Sequence, residues 1–146
     1  MPALSCRVSR RCVLSCDGGP WHIECMGTSF HILLAEDNDL VALTLCRVLE
    51  SHGYRVTTAS HGQQALEAAV EDPPDLLVTD MRMPVMAGYE LIALIRLYRP
   101  DLPVVLITGH GDSLPTSQPD RLMVLLKPFA MHEFVKAVQT LLRSLN

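Results

Sequence analysis

The sequence predicts a doubly wound α/β fold: five parallel strands in the spatial order 2-1-3-4-5, covered on both faces by helices. Three observations point there. Short apolar runs bounded by turn residues alternate with stretches whose apolar residues recur at helical spacing. The strand-like runs are mostly continuous rather than alternating, so both of their faces must be buried, as in a parallel sheet. Right-handed crossovers between such strands leave few topologies, and this order is a common one at this size.

The elements follow in order. HILLA (31–35) is a short buried strand bounded by EDND, and Val41, Leu45 and Val48 then recur at helical spacing until Gly53 stops the helix. YRVTTA (54–59) alternates as a strand, and Leu66, Ala69 and Val70 mark a second helix ended by Pro73 and Pro74. DLLVT (75–79) is the third strand. After the turn MPVMAG, one face of a third helix carries Leu91, Leu94, Ile95 and Tyr98, and Pro100 closes it. PVVLIT (103–108) and LMVLL (122–126) are the fourth and fifth strands, and Phe134, Val138, Leu141 and Leu145 line a last helix.

Composition excludes several classes. The chain has 146 residues, 49% hydrophobic and 19% charged, which is one globular domain's worth with a single packed core. A formal charge of −4 offers no broad basic face for a nucleic acid backbone. No run approaches the roughly 18 apolar residues that a membrane span needs. The reading is therefore a cytoplasmic protein that binds neither nucleic acid nor membrane.

Residues 1–29 are expected to be a poorly ordered extension, with the folded domain at 30–146. Four of the five cysteines (Cys6, Cys12, Cys16, Cys25) lie in this extension, without a CxxC pair and with an odd total, so zinc or a complete disulfide framework is not expected. Ser9-Arg10-Arg11 before CVLSC hints at an export signal, but only three or four apolar residues follow, where about 7 to 15 are required. Met26 is a candidate alternative start, which the intact mass of the native protein would decide.

The chemistry sits at one edge of the expected sheet. Ligands bind beside the carboxyl ends of the strands where the order reverses, here between strands one and three. Strand one ends in Glu36-Asp37, strand three in Asp80, strand four in Thr108 and strand five in Lys127. Each alone is ordinary, a strand-terminal Asp reading as a turn former and a Thr before Gly as a turn residue. Together they read as one site. Three packed acids repel and raise at least one pKa unless a cation neutralises them, and Mg²⁺ suits best because it accepts one or two carboxylates together with waters and phosphate oxygens. A carboxylate beside such an ion can attack a phosphoryl group in line while Lys127 and Thr108 absorb charge, giving an aspartyl phosphate on Asp80.

Ala35-Glu36-Asp37, Asp80 with MRMP after it, Gly88, Thr108-Gly109 and Lys127-Pro128-Phe129 together resemble the receiver domain of two-component response regulators, over about residues 31–145. The resemblance implies the flavodoxin-like form of the doubly wound sheet. It implies phosphorylation of Asp80 by the phosphohistidine of a sensor histidine kinase or a histidine phosphotransfer protein, and no enzymatic activity beyond the domain's own phosphorylation and dephosphorylation. It further implies that Asp37, Asp80 and the backbone carbonyl of Arg82 bind Mg²⁺ with help from Glu36. Lys127 would contact the phosphoryl group, Thr108 would reorient toward it, and the Lys127-Pro128 bond would be cis. Arg82 and His110 occupy positions whose side chains flank the phosphoryl group and tune its lifetime. Met81, Met83 and Met86 read as turn and core filling, and His22, His31, His52, His61 and His132 as surface or packing residues.

Two departures stand out. Where the family carries an aromatic residue on strand five that moves with the threonine, this chain has Val124, so coupling by a rotating ring cannot operate as usual. The segment from Thr108 to Lys127 is shorter than is common in the family and holds Pro115 and Pro119, each costing about 3 kcal/mol inside a helix. A short, broken or missing fourth helix is expected. With the chain ending near the last helix, a stand-alone regulator acting on a downstream protein is implied, although ILLAEDN also resembles receivers attached to hybrid kinases. The alternative is a degenerate receiver that binds partners without phosphorylation. A haloacid-dehalogenase-like phosphatase would need an acid at position 82, where this chain has Arg82, and a flavin-binding relative would not carry EDND after strand one.

Overall fold

Apolar runs of five residues become the strands of one sheet, and the amphipathic stretches between them become its helices. The computed structural model describes residues 12–15, 22–25, 30–109 and 121–143. In chain order the elements are β1 (Cys12–Ser15), β2 (His22–Cys25), β3 (His31–Ala35), α1 (Asp39–Ser51), β4 (Arg55–Ala59), α2 (Gly62–Glu71), β5 (Leu76–Asp80), α3 (Gly88–Tyr98), β6 (Val104–Thr108), β7 (Leu122–Leu126) and α4 (Met131–Arg143). The main sheet runs β4-β3-β5-β6-β7, with every neighbouring pair parallel. Counted from residue 30, that is the expected order 2-1-3-4-5. The expected break in a fourth helix concerns residues 110–120, which lie outside the described residues.

Alternation along each central strand divides its side chains between two cores. Ile32 and Leu34 pack with Leu45 and Leu49 of α1 and with Phe134, Val138 and Leu141 of α4. Leu33 and Ala35 pack on the opposite face with Ala65 of α2 and with Leu91 and Ile95 of α3. This is why β3, β5 and β6 are buried at every position and read as unbroken apolar runs. Strand β4 lies at the sheet edge and is buried only at Ala59, which accounts for its polar content; there Arg55 pairs with Asp72 at 2.6 Å. Met81 is buried in the second core, and Met83 and Met86 pack against it, as expected of filler residues.

The helix ends are fixed locally. Asn38 caps α1, its side chain accepting from the N–H groups of Leu40 and Val41. Gly53, at φ 87°, closes the other end: its N–H donates to the carbonyl of Glu50 and that of Tyr54 to Leu49, the paired bonds of a Schellman turn. His61 is a capping residue, with Nδ1 accepting from the Gln64 N–H at 3.2 Å. His31 is a packing residue, buried with Nε2 2.7 Å from Thr57 Oγ1.

Of residues 1–29, the described parts form a second, separate sheet in which β1 and β2 pair antiparallel. The expectation of a poorly ordered extension contained no strand there. Short runs with weak alternation, flanking the Asp17-Gly18-Gly19-Pro20 turn sequence, were the available signal.

Two backbone positions shape the loop after β5. Gly88 opens α3 directly against the end of that strand, donating its N–H to the Met81 carbonyl at 2.9 Å, and a Cβ there would collide with the Asp80 carbonyl oxygen. Val85 is exposed and adopts φ 72°, while Met86 N–H donates to the Pro84 carbonyl at 2.8 Å, so a β-branched residue sits at the centre of a strained γ-turn. These two sites should respond oppositely to a one-carbon logic. Gly88→Ala forces backbone apart beside Asp80 and should lower unfolding free energy by about 1–3 kcal/mol in urea titration. Val85→Gly relieves a Cβ penalty of about 1–2 kcal/mol, partly offset by about 0.5–1 kcal/mol of glycine entropy, so its melting temperature should rise. A fall instead would mean that Val85 is not strained.

Candidate functional site

The parallel sheet brings the carboxyl ends of β3, β5, β6 and β7 to one edge, and the side chains there come from sequence-distant positions. Glu36 and Asp37 follow β3, Asp80 ends β5, Thr108 ends β6 and Lys127 follows β7. A carboxylate oxygen from each of Glu36, Asp37 and Asp80 lies within 4.8 Å of the others. Lys127 Nζ donates to Asp80 Oδ2 at 2.8 Å, and the Arg82 N–H donates to Asp80 Oδ1 at 3.2 Å. Both Asp80 oxygens are thus held, one by an ammonium and one by backbone, and the residue is only 6% exposed.

Local structure explains each placement. The Lys127 backbone N–H donates to the Thr108 carbonyl at 2.8 Å, extending the β6–β7 pairing by one residue, and the Lys127-Pro128 bond is cis. Thr108 is fully buried, with Oγ1 donating to the Gly109 carbonyl at 3.3 Å. Its neighbour Ile107 is the register partner of Asp80. The Arg82 side chain is exposed, and His110 lies outside the described residues. Val124 is half-buried on β7, register partner of Leu106, and packs against the α2–α3 core.

Glu36 is the electrostatic anomaly. It is 2% exposed; Oε1 accepts from the Asn38 N–H at 3.2 Å, and Oε2 has no hydrogen-bond partner among the described residues. Burial first, and then the charge of Asp80, push its pKa up from 4.5 to about 7. Burial acts to lower the Lys127 pKa, but its hydrogen bond to Asp80 and the charges of Asp80, Glu36 and Asp37 outweigh that and raise it. Asn38 is a contributor that the sequence reading assigned no role. An Asn immediately before a helical apolar pattern was the signal, since a capping residue's own N–H is free to fix its neighbour's carboxylate.

A buried carboxylate oxygen without a partner, facing two further carboxylates, fits a hard divalent cation. Octahedral ligands about 2.0–2.1 Å from Mg²⁺ sit about 3–4 Å from one another, within the spread of these three oxygens. Beside Lys127 opens an apolar groove of about 640 Å³ whose lining includes Leu40, Val41, Pro128, Phe129 and Met131.

Known proteins resemble this chain in sequence and in fold. PrrA, a transcriptional regulatory protein of Mycobacterium bovis, is 34% identical over 119 residues, covering 80% of this chain; the chain spans about half, 51%, of that relative. CpdR, a response regulator receiver protein of Brucella abortus, is 37% identical over 114 residues, covering 76% of this chain and 95% of its own. The crystal structure of a response regulator receiver domain protein from Clostridium thermocellum superposes with a TM-score of 0.72 at 26% identity, covering 78% of this chain and 94% of that one. Residues 32–139 match the family described as the response regulator receiver domain, and with that match the chain belongs to the receiver family of two-component response regulators.

Proposed function

We propose that Asp80 accepts a phosphoryl group from the phosphohistidine of a sensor histidine kinase or histidine phosphotransfer protein, and that the phosphorylated domain acts on a downstream protein by contact. The observation that carries this reading is the Asp80 carboxylate held at 2.8 Å from Lys127 Nζ, with the partnerless Glu36 oxygen in the same cluster. Glu36, Asp37, Asp80 and the backbone carbonyl of Arg82 would hold Mg²⁺, which supplies charge neutralisation for the transferred phosphoryl oxygens.

The chain's own residues do the rest. Lys127 orients Asp80 through its hydrogen bond to Oδ2, so that a carboxylate oxygen attacks phosphorus as the bond from phosphorus to the histidine nitrogen breaks. Its ammonium then meets a phosphoryl oxygen, and the Thr108 hydroxyl donates to another. The apolar groove beside Lys127, with exposed Leu40 at its rim, suits the approach of a donor protein that must exclude water from the transfer. Water attacking phosphorus later releases phosphate, and the side chains of Arg82 and His110 set the access that governs that rate. The domain is a signalling module whose catalysis is confined to its own acceptor. Among the described residues no helix is long and apolar enough to cross a membrane.

Intact mass after incubation with acetyl phosphate and Mg²⁺ should show a gain of one phosphoryl group that is absent in Asp80→Ala. The absence of any gain in the unsubstituted chain would leave a phosphorylation-independent binding module instead. Lys127→Ala should slow the gain on the order of 100-fold while Asp80 remains the modified residue.

Metal removal has its own signature. Because the Glu36 pKa is raised in the fold, the native state holds a proton that the unfolded chain releases between pH 4.5 and about 7. Without divalent ions, stability should therefore fall through that window, by as much as about 3 kcal/mol above pH 7. Glu36→Gln should abolish this fall and, in urea titration at pH 8, be more stable than the parent. Mg²⁺ should stabilise the parent and have much less effect on the variant. An unsubstituted chain whose metal-free stability is flat from pH 4.5 to 7 would contradict the assigned electrostatics.

A further inference from the structure

The strands β1 and β2 pair with each other and with no strand of the five-stranded sheet. Four residue pairs form the ladder: Cys12 with Cys25, Val13 with Glu24, Leu14 with Ile23, and Ser15 with His22. A two-stranded ladder of this length is marginal in water unless something else holds it together. Its open end is closed by a register pair of cysteines. We propose that Cys12 and Cys25 form a disulfide that makes this hairpin's persistence depend on the thiol redox state.

The geometry of the backbone carries the proposal. Register partners in an antiparallel ladder have Cα atoms about 4.5–5.5 Å apart, inside the range of about 4.4–6.8 Å that a disulfide spans. Residues directly opposite each other share one face of such a ladder, so the bond needs no change of register. Sequence assigns the roles of the two thiols. Arg10 and Arg11 directly precede Cys12, and neighbouring positive charge favours thiolate. Glu24 directly precedes Cys25 and does the opposite.

The co-reactant is a small-molecule disulfide such as glutathione disulfide. The Cys12 thiolate attacks one of its sulfurs, forming a mixed disulfide and expelling one thiolate. The Cys25 thiolate then attacks the Cys12 sulfur and displaces the second. The net change is oxidation of two protein thiols to one disulfide and reduction of the reagent to two thiols, which take up the two protons. In a reducing compartment such a bond is transient, which is the behaviour of a sensor and not of a permanent staple. The proposal stands apart from the chemistry of Asp80 and survives if that reading fails.

The test uses residues 1–146, expressed from Met1 and reduced, then incubated with glutathione disulfide and alkylated. The expected product is two hydrogens lighter before alkylation and carries three alkyl groups, on Cys6, Cys16 and Cys46 of the five cysteines. Chymotrypsin cleaves after Trp21, and the fragments bearing Cys12 and Cys25 should remain joined until dithiothreitol is added. Amide exchange should slow on oxidation at those of residues 13–15 and 22–24 whose N–H groups bond across the ladder, which alternate pair by pair, and that slowing should be absent in Cys25→Ser. Five alkyl groups under the same conditions, or bonds in which Cys16 replaces Cys12 or Cys25 as often as not, would overturn the proposal. So would slowed exchange in Cys25→Ser equal to that of the oxidised parent, since the ladder would then hold without the bond.

Discussion

Like charges converging on one sheet edge are the constraint on which the rest of the site depends. Strand direction causes that convergence. In a parallel sheet every strand delivers its carboxyl end to the same side, so Glu36, Asp37 and Asp80 meet although 44 positions separate the first from the last. Repulsion among them is partly offset by Lys127, whose ammonium reaches Asp80 from the far side of β6. The remainder shows in Glu36, which is buried, half-satisfied and displaced to a pKa of about 7. A fold serving only stability would have placed a neutral side chain at that position, because a buried and poorly partnered carboxylate is destabilising.

The surrounding structure is organised so that this unfavourable cluster stays in place. Two cores on opposite faces of the sheet fix β3 and β5 side by side, and burying each large aliphatic side chain contributes about 1.5–3 kcal/mol against the electrostatic cost. Gly88 lets α3 begin in contact with the Asp80 backbone, where a side chain would not fit. Met86 lies against Gly62 at the start of α2, where a Cβ would meet it at 2.6 Å, so the loop after Asp80 is also pinned from the side. Strain at Val85 is then understandable as the result of anchoring both ends of a short loop.

What was legible in the sequence follows from this same physics. Strands buried on both faces leave unbroken apolar runs, and a sheet edge collecting reactive groups leaves Glu36-Asp37, Asp80, Thr108 and Lys127 each at the end of such a run. Gly53 was legible as a stop because few other residues accept φ 87°. Other features had no comparable pattern. His61 as a helix cap departs from the usual Ser, Thr, Asp or Asn, and the γ-turn at Val85 violates the preference that would have announced it with glycine. The β1–β2 pair is too short for a periodic signal, each strand having only four residues.

On the proposed function, chemistry and readout are separable in this domain, and they part at Val124. The carboxylate cluster needs only the ends of β3, β5, β6 and β7, which are joined by ladder hydrogen bonds; those of β3, β5 and β6 are buried, while Leu126 at the end of β7 is exposed. Signal transmission needs something near Thr108 to have two discrete arrangements, since packed cores respond by switching and do not deform continuously. An aromatic ring at position 124 would supply them by swinging between buried and exposed positions. Valine has one torsion, stiffened by branching at Cβ, and it already packs against the α2–α3 core beside Leu106. On the proposed chemistry, movement of Thr108 toward a phosphoryl group would therefore be felt through the backbone hydrogen bond from Lys127 to the Thr108 carbonyl and through Gly109, and not through a ring on β7. The phosphorylation state would be read on the face where β6 and β7 end, next to the atoms that change.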